Sequence, residues 1–511
     1  MKNGFSSTNE IKLGALLGYV VIILNTLVSL FYTPYMLRQI GQSEYGLYSL
    51  VSSLIAYLTI LDVGMGNAIV RYTAKFRAQG KLIEQYKMFG MFFILYLVIG
   101  AIAFIIGLFL YGNVDLLFNS TMTLDELSKA KVMILLLIFN LAFSFPMSIW
   151  GSIMTAYERF VFPKVINIIR LFLNTFLMVF LLSKGHKAIT MTVVTTIFNV
   201  LTLVINYCYC KYSLHVKLIF DRFNWDLLKE VAVYSFWIFL NIIMDKIYWG
   251  TGQFVLGSVA SVASVAIFAI AIHLQSMYMQ FSTALSGLLL PKLTALAVSK
   301  GTDKEISDLF IKTGRLQYII LSFILLGFIV FGKQFILMWA GPEYEESYII
   351  ALLLLVPLTI PLIQNVGITI LQARNQMKFR SILYVIIAMS SLFFQIYYAK
   401  SYGGIGCASA ISVALIIGHV LIMNIYYSKK QNIDILKFWK EILKMSIVPW
   451  IFLAISLYVQ KYINISNWVE LFTGIAIFTV VYIPIFYVFS MNQYEKILVK
   501  LFLKKIHIIS R

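Results

Sequence analysis

Few residues in this chain can do chemistry, and most of those lie in stretches too apolar to hold them without a reason. Asp245 and Lys246 are the most central, near the middle of the hydrophobic stretch 231–256. An ionisable side chain at mid-helix in a bilayer costs about 2.5–3.5 kcal/mol on insertion scales, so such groups face a cavity or a partner. Consecutive helical residues point about 100° apart, which argues against a mutual pair. As a compact point charge, the Lys246 ammonium suits a diffuse anion such as a phosphate group; the alternative is that both residues bond to other helices. Arg170, about two turns into its own stretch, faces either a cavity or, by snorkelling, the headgroups. Arg38 sits at an interface. Asp62 either pairs with Arg71, the simpler expectation, or carries a coupling proton. His273 and His419 titrate near neutrality when unperturbed, though a lone intramembrane histidine is usually a packing residue.

Uncharged polar residues add a lining suited to hydroxyl-rich ligands: Asn140, Asn174, Gln275, Gln364, Asn365 and Gln395. Several of them are expected to bond between helices instead. Pro146, Pro357 and Pro361 break helices at related places in the two halves of the chain and are hinge candidates, static kinks being the default. Cys208 and Cys210 have metal-like spacing, but no second Cys or His pair completes a site, so no metal or other cofactor is expected. Residues Gly327 to Gln334 match the first part of a phosphate-binding loop. They have Gln334 where Ser or Thr is needed and no preceding strand, so ATP chemistry is not supported.

Stretches of membrane-spanning length must position these residues. The chain has 511 residues, 60% hydrophobic and 12% charged, against about 25% charged in soluble domains. Some 20 apolar residues cross a bilayer, and fourteen such stretches run from 13–37 and 45–64 to 445–459 and 468–489. No alternation of apolar and polar residues suggests a β-barrel. The expected fold is an all-α polytopic membrane protein. The first stretch is too long for a signal-peptide core, and no small-residue cleavage site follows. Lys and Arg fall in alternate gaps, 31 on one face against 8 on the other, with Arg170 and Lys246 inside spans. Cytoplasmic loops carry such an excess, so both termini are placed in the cytoplasm, as an even span count also requires. The net charge of +19 is then the sum of loop charges, with no nucleic-acid partner implied. The segment 67–87 is amphipathic and expected to lie on the cytoplasmic headgroups.

The hydropathy rhythm repeats. Six spans up to residue 210 are followed by six more up to 427, each set with its long basic connection after the second span. An offset of 221 aligns Gly66 with Gly287 and Glu84 with Glu305, and places Asn25 opposite Lys246; an offset of 215 aligns Arg159 with Arg374. The expected organisation is an N-lobe at 1–228, a C-lobe at 229–430, and two further spans with a basic tail at 431–511. Two lobes of like orientation facing across a cleft suit alternating access.

The run from Thr33 to Tyr48 (TPYMLRQIGQSEYGLY), followed by Leu61 to Tyr72 (LDVGMGNAIVRY), resembles the first two spans of bacterial polysaccharide transporters of the O-antigen flippase type. Their superfamily also contains multidrug and toxic compound exporters and lipid II flippases. The fourteen spans and six-plus-six-plus-two layout extend the resemblance over the whole chain. It implies a multi-pass inner-membrane protein, not an enzyme, that moves an undecaprenyl-pyrophosphate-linked oligosaccharide to the outer leaflet during lipopolysaccharide or related synthesis. Polysaccharide polymerase and chain-length machinery are the implied partners, alongside membrane lipids. On this reading Lys246, Arg170, Asn25, Arg38, Asn140 and Gln364 contact substrate. Asp245, Asp62, His273, Pro146 and Pro361 serve proton or sodium coupling, or gating. The motif also reads as hairpin packing, with Pro34 bending span 1 and Gly41 and Gly46 permitting the tight link to span 2. Two other functions compete. A multidrug cation antiporter would need a mainly acidic cavity, and a membrane glycan polymerase would need catalytic carboxylates or a large external loop.

Overall fold

The structure, a computed structural model, describes residues 7–62, 64–221, 223–298, 303–374, 376–463 and 465–509. It is helical, with no strand among the described residues. In chain order the helices are α1 (Ser7–Leu58), α2 (Met65–Ala78), α3 (Leu82–Gly112), α4 (Val114–Phe118), α5 (Leu124–Ala156), α6 (Val161–Ser183), α7 (Ala188–Cys208), α8 (Trp225–Val259) and α9 (Val262–Val298). They continue as α10 (Asp303–Trp339), α11 (Glu346–Ile363), α12 (Val366–Ala373), α13 (Met377–Leu415), α14 (Met423–Gln431), α15 (Ile435–Gln460), α16 (Trp468–Phe489) and α17 (Gln493–Ile509). Among the described residues, eleven helical segments are long and apolar enough to cross a bilayer. Two of these, 62 and 55 residues long, contain breaks at Gly41 (φ 79°) and Gly403 (φ 52°). Both breaks fall where the sequence places external connections. The phosphate-loop lookalike lies within the continuous helix α10.

Contacts divide the chain into two compact units: Met1–Ala269 with Leu392–Gly404, and Ile270–Ser391 with Ile405–Arg511. This grouping attaches α8 to the first unit. It is a different division from the repeat boundaries, which rest on hydropathy rhythm.

In the first unit α3 lies along α5, and α1 packs against α6 and α8. Phe89, Phe92, Tyr96, Ile149, Trp150 and Ile153 fill its core. Pro146 has no N–H to offer the carbonyl of Ala142, and a Cβ on Gly100 of α3 would lie 2.8 Å from that oxygen. The apolar side of α2 turns inward: Ile69 and Tyr72 are buried in the same core, while Arg71 and Lys75 are exposed. This corrects the expectation that the segment rests on lipid headgroups, because α5 and α8 supply its apolar partners.

The sequence motif at the first helical hairpin is a packing device. Glu44 is 7% exposed. Its Oε1 accepts from Lys129 Nζ at 2.7 Å, and its Oε2 accepts from the backbone N–H of Ala188 at 3.2 Å, at the start of α7. Gly41 breaks the helix at a positive φ of 79°, which favours glycine, but Gly46 has a different role from the one expected. It is helical, and a Cβ there would overlap the Val262 carbonyl oxygen. Replacing Glu44 with alanine removes a charge-assisted bond worth about 1.5–3 kcal/mol and uncaps α7. A lower melting temperature in detergent is the expected result; unchanged melting would show that these contacts are solvated.

In the second unit α10 packs against α11, α15 and α16. Pro357 frees the Leu353 carbonyl, and the Ser412 hydroxyl from α13 donates to it. Nearby, Tyr278 Oη lies 2.8 Å from Thr359 Oγ1, and Ser282 Oγ donates to the Leu362 carbonyl at 2.9 Å. The proline-rich stretch of α11 is thus held by hydroxyls from its neighbours. A cluster of Phe452, Phe478, Tyr482 and Phe486 seats α15 and α16 on α10.

Candidate functional site

Helix α8 begins with an Asn224 side-chain cap, which accepts from Leu227 N at 3.0 Å. It then packs along α1 and against the short turn Thr59–Asp62. Small residues allow that approach. Gly250 faces the Tyr57 ring, and the Tyr57 hydroxyl donates to Thr251. Lys246 lies one turn before Gly250 and is half-buried. It makes no ion pair within 4 Å among the described residues, whereas twelve other ion pairs are formed. Asp245, adjacent to it, is exposed. A half-buried ammonium, with the exposed Asp245 as its charged neighbour, has the chemistry to receive an anion.

A second polar locus crosses three helices of the same unit. Arg170 on α6 donates through Nη1 to Asn199 Oδ1 on α7 at 3.5 Å. Asn199 Nδ2 in turn donates to Asn140 Oδ1 at 2.7 Å and to Ser144 Oγ at 2.8 Å, both on α5. Two of the expected residues, Arg170 and Asn140, are therefore brought together, and Arg170 is half-buried. Asn199 is not among the residues that sequence reasoning selects. Its only signal is an amide standing in the apolar run around Ile197 and Val200. Asn174, one turn beyond Arg170, has its Oδ1 shielded from solvent and without a partner.

Asp62 does not pair with Arg71. Its partner is the Tyr96 hydroxyl, which is also bonded to Ser148, and its Oδ1 is buried without a bond. The reason is orientation: Arg71 is on the exposed side of α2, with its guanidinium 5.8 Å from the Tyr72 ring centroid. Asn25 and Arg38 are exposed on α1, and Asn25 is not brought into a hydrogen bond with Lys246.

In the second unit Gln364 is buried, and its Nε2 donates to Asn424 Oδ1 at 2.8 Å. Trp439 Nε1 donates to the same oxygen at 3.2 Å, so this amide binds helices together. His273 is half-buried with its ring stacked at 6.3 Å from Trp339. His419 Nδ1 is 2.6 Å from the Tyr384 hydroxyl, with the Arg380 guanidinium 4.4 Å from the Tyr384 ring centroid. Pro361 is half-buried in α11.

An all-helical body of long apolar segments, with a few cationic and amide groups among its helices, defines a multi-pass membrane protein. The family described as polysaccharide biosynthesis protein matches residues 35–349, and the chain belongs to that family. No curated protein matches it in sequence. Among solved structures, it is similar to the lipid II flippase MurJ in an inward closed conformation. The TM-score is 0.70 at 18% identity, over 93% of this chain and 98% of that one. An inward-facing multidrug resistance MATE family transporter of the MOP superfamily gives a TM-score of 0.61 at 14% identity, over 80% and 96%. A MOP superfamily transporter from Pyrococcus furiosus, described as having a binding pocket of reverse polarity, gives 0.56 at 16%, over 83% and 97%. The fold is that of the MurJ and MATE transporters.

Proposed function

We propose that the protein is a flippase. It carries an undecaprenyl-pyrophosphate-linked oligosaccharide, an O-antigen, capsule or related repeat unit, from the cytoplasmic to the outer leaflet of a bacterial inner membrane by alternating access. The observation that carries this reading is Lys246, a half-buried cation with no ion pair among the described residues, on a helix of a membrane transport fold. Bare transfer of a charged, hydroxylated headgroup through hydrocarbon is prohibitive, so the carrier must replace its water. Lys246 neutralises the pyrophosphate, while Arg170 and Asn140, joined through Asn199, and Asn25 and Arg38 supply polar contacts. Fourteen spans with both termini cytoplasmic fit the 31-to-8 distribution of basic residues. An inside-negative potential favours outward movement of an anion by about 2.3 kcal/mol per charge per 100 mV. Reset of the empty carrier uses a proton or sodium gradient through Asp62, Asp245 or His273, with Pro146 and Pro361 as bending points.

A deletion strain tests the proposal. Lipid-linked glycan should accumulate on the cytoplasmic leaflet and return to normal when the gene is restored. A normal leaflet distribution, with increased drug accumulation instead, would replace the flippase by a cation antiporter.

A further inference from the structure

The first unit holds a cavity of about 500 Å³ that none of the transport residues lines. Its walls come from α3, α5, the end of α7 and the strap 214–221 that precedes α8. Phe93, Met147, Val216 and Leu218 make it mainly apolar, and Trp150 and Tyr207 add aromatic faces. The strap that forms one of its walls is held by hydrogen bonds and an ion pair. Val216 N donates to Cys210 O at 3.1 Å, Ile219 N donates to Tyr86 O at 3.2 Å, and Asp221 pairs with Lys87 at 2.5 Å. The cavity is therefore built into the fold.

Of two polar groups in its lining, one is buried and one is exposed. Trp150 is 3% exposed, and its indole N–H has no hydrogen-bond partner; a buried donor of that kind normally finds one. Lys211 lies in the π-helical turn Tyr209–Ser213. Its ammonium bonds to the Tyr207 hydroxyl and sits 5.5 Å from the ring centroids of both Tyr207 and Tyr212, with no carboxylate within 4 Å among the described residues. An exposed cation at the edge of a largely apolar cavity matches an anion attached to an apolar chain. A free phosphate would bring its full hydration to a site with too few donors to replace it. Around the cavity, Tyr212, Phe220 and Trp225 are 68%, 61% and 65% exposed. Exposed aromatic residues of this kind mark headgroup depth in membrane proteins, and the basic residues Lys87, Lys211 and Lys217 are on the face assigned to the cytoplasm.

We propose that this cavity binds one anionic phospholipid of the cytoplasmic leaflet. Its phosphate lies against the Lys211 ammonium, and its first acyl methylenes run along Phe93, Met147 and Leu218. The lipid site is independent of which molecule the protein transports.

Native mass spectrometry of the detergent-purified chain with added phosphatidylglycerol is the test. One lipid should survive activation that strips the rest. Its retention should fall about tenfold or more in Lys211→Ala, an exposed position whose loss does not threaten folding. It should fall similarly in Met147→Trp, which fills the cavity and keeps the charge. Equal retention in the parent and both variants would overturn the proposal. So would equal retention of phosphatidylcholine, which would remove the requirement for net negative charge. Displacement of the lipid by glycerol 3-phosphate at comparable concentration would also overturn it, since a soluble anion would then suffice.

Discussion

Replacing Lys246 with alanine is expected to slow the proposed glycan transport by about tenfold or more and leave the amount of folded protein unchanged. The two halves of that result follow from the same geometry. A half-buried ammonium that forms no ion pair among the described residues contributes little to stability, and its desolvation is a cost that alanine removes. Neither Gly250 against Tyr57 nor Thr251 bonded to it is disturbed by truncation one turn away. For an anionic substrate the opposite holds. A hydrogen bond to a charged group is worth about 1.5–3 kcal/mol, so its loss alone slows transport by about ten- to 150-fold. Lys246→Arg should retain part of the activity, because the charge remains while its shape and hydration change. The measurement is the fraction of lipid-linked glycan reaching the outer leaflet, with membrane protein level and melting temperature as controls. Full activity in the alanine variant would remove Lys246 from the transport path. Loss of folded protein would instead assign it to structure.

The helices are legible in the amino-acid sequence because a bilayer sets their length and the backbone within it must satisfy itself. The breaks at Gly41 and Gly403 are readable for the same reason: short polar interruptions with glycine stand between long apolar runs. Which face of a helix meets which neighbour is not readable. Arg170 and Asn140 stand out by residue type, yet the residue that connects them, Asn199, does not. An amide in an apolar run announces only that it has a partner. Asp62 shows the same limit. Its closest cation in sequence, Arg71, lies on the far side of α2, and a tyrosine from α3 supplies the bond instead. Glu44 belongs to the motif on which the family resemblance rests, and in the fold it joins α1 to Lys129 and the start of α7. Those partners lie 85 and 144 residues away, and no periodicity reports such separations.

Arg315 illustrates the point and carries the second large prediction. Its sequence position groups it with the cytoplasmic loop charges, but it is 4% exposed. All five of its guanidinium N–H directions are used. Nε and Nη2 donate to the two oxygens of Glu495 at 2.6 and 2.9 Å, a bidentate geometry that only arginine offers. Nη1 donates to Glu441 Oε2 at 3.0 Å and to the Glu441 carbonyl at 3.2 Å. Nη2 also donates to the Ser490 carbonyl at 3.2 Å. One side chain on α10 therefore ties down α15, the end of α16 and the start of α17. Glu495 is itself 2% exposed and caps α17 by accepting from Asn492 N at 2.9 Å. Removing one partner of a buried pair leaves the other charged and unmatched, at about 3–5 kcal/mol. Arg315→Ala and Glu495→Ala should each lower the melting temperature sharply and expose the link between α16 and α17 to protease. Glu441→Gln should do less, because Glu441 is 29% exposed and water replaces what is lost. Replacing Arg315 and Glu495 together by methionine should recover much of the loss, since apolar residues of similar volume often substitute for a buried pair. If each single variant melts like the parent, the cluster is hydrated in solution and the aromatic contacts of Phe452, Phe478 and Tyr482 hold α15 and α16 without it.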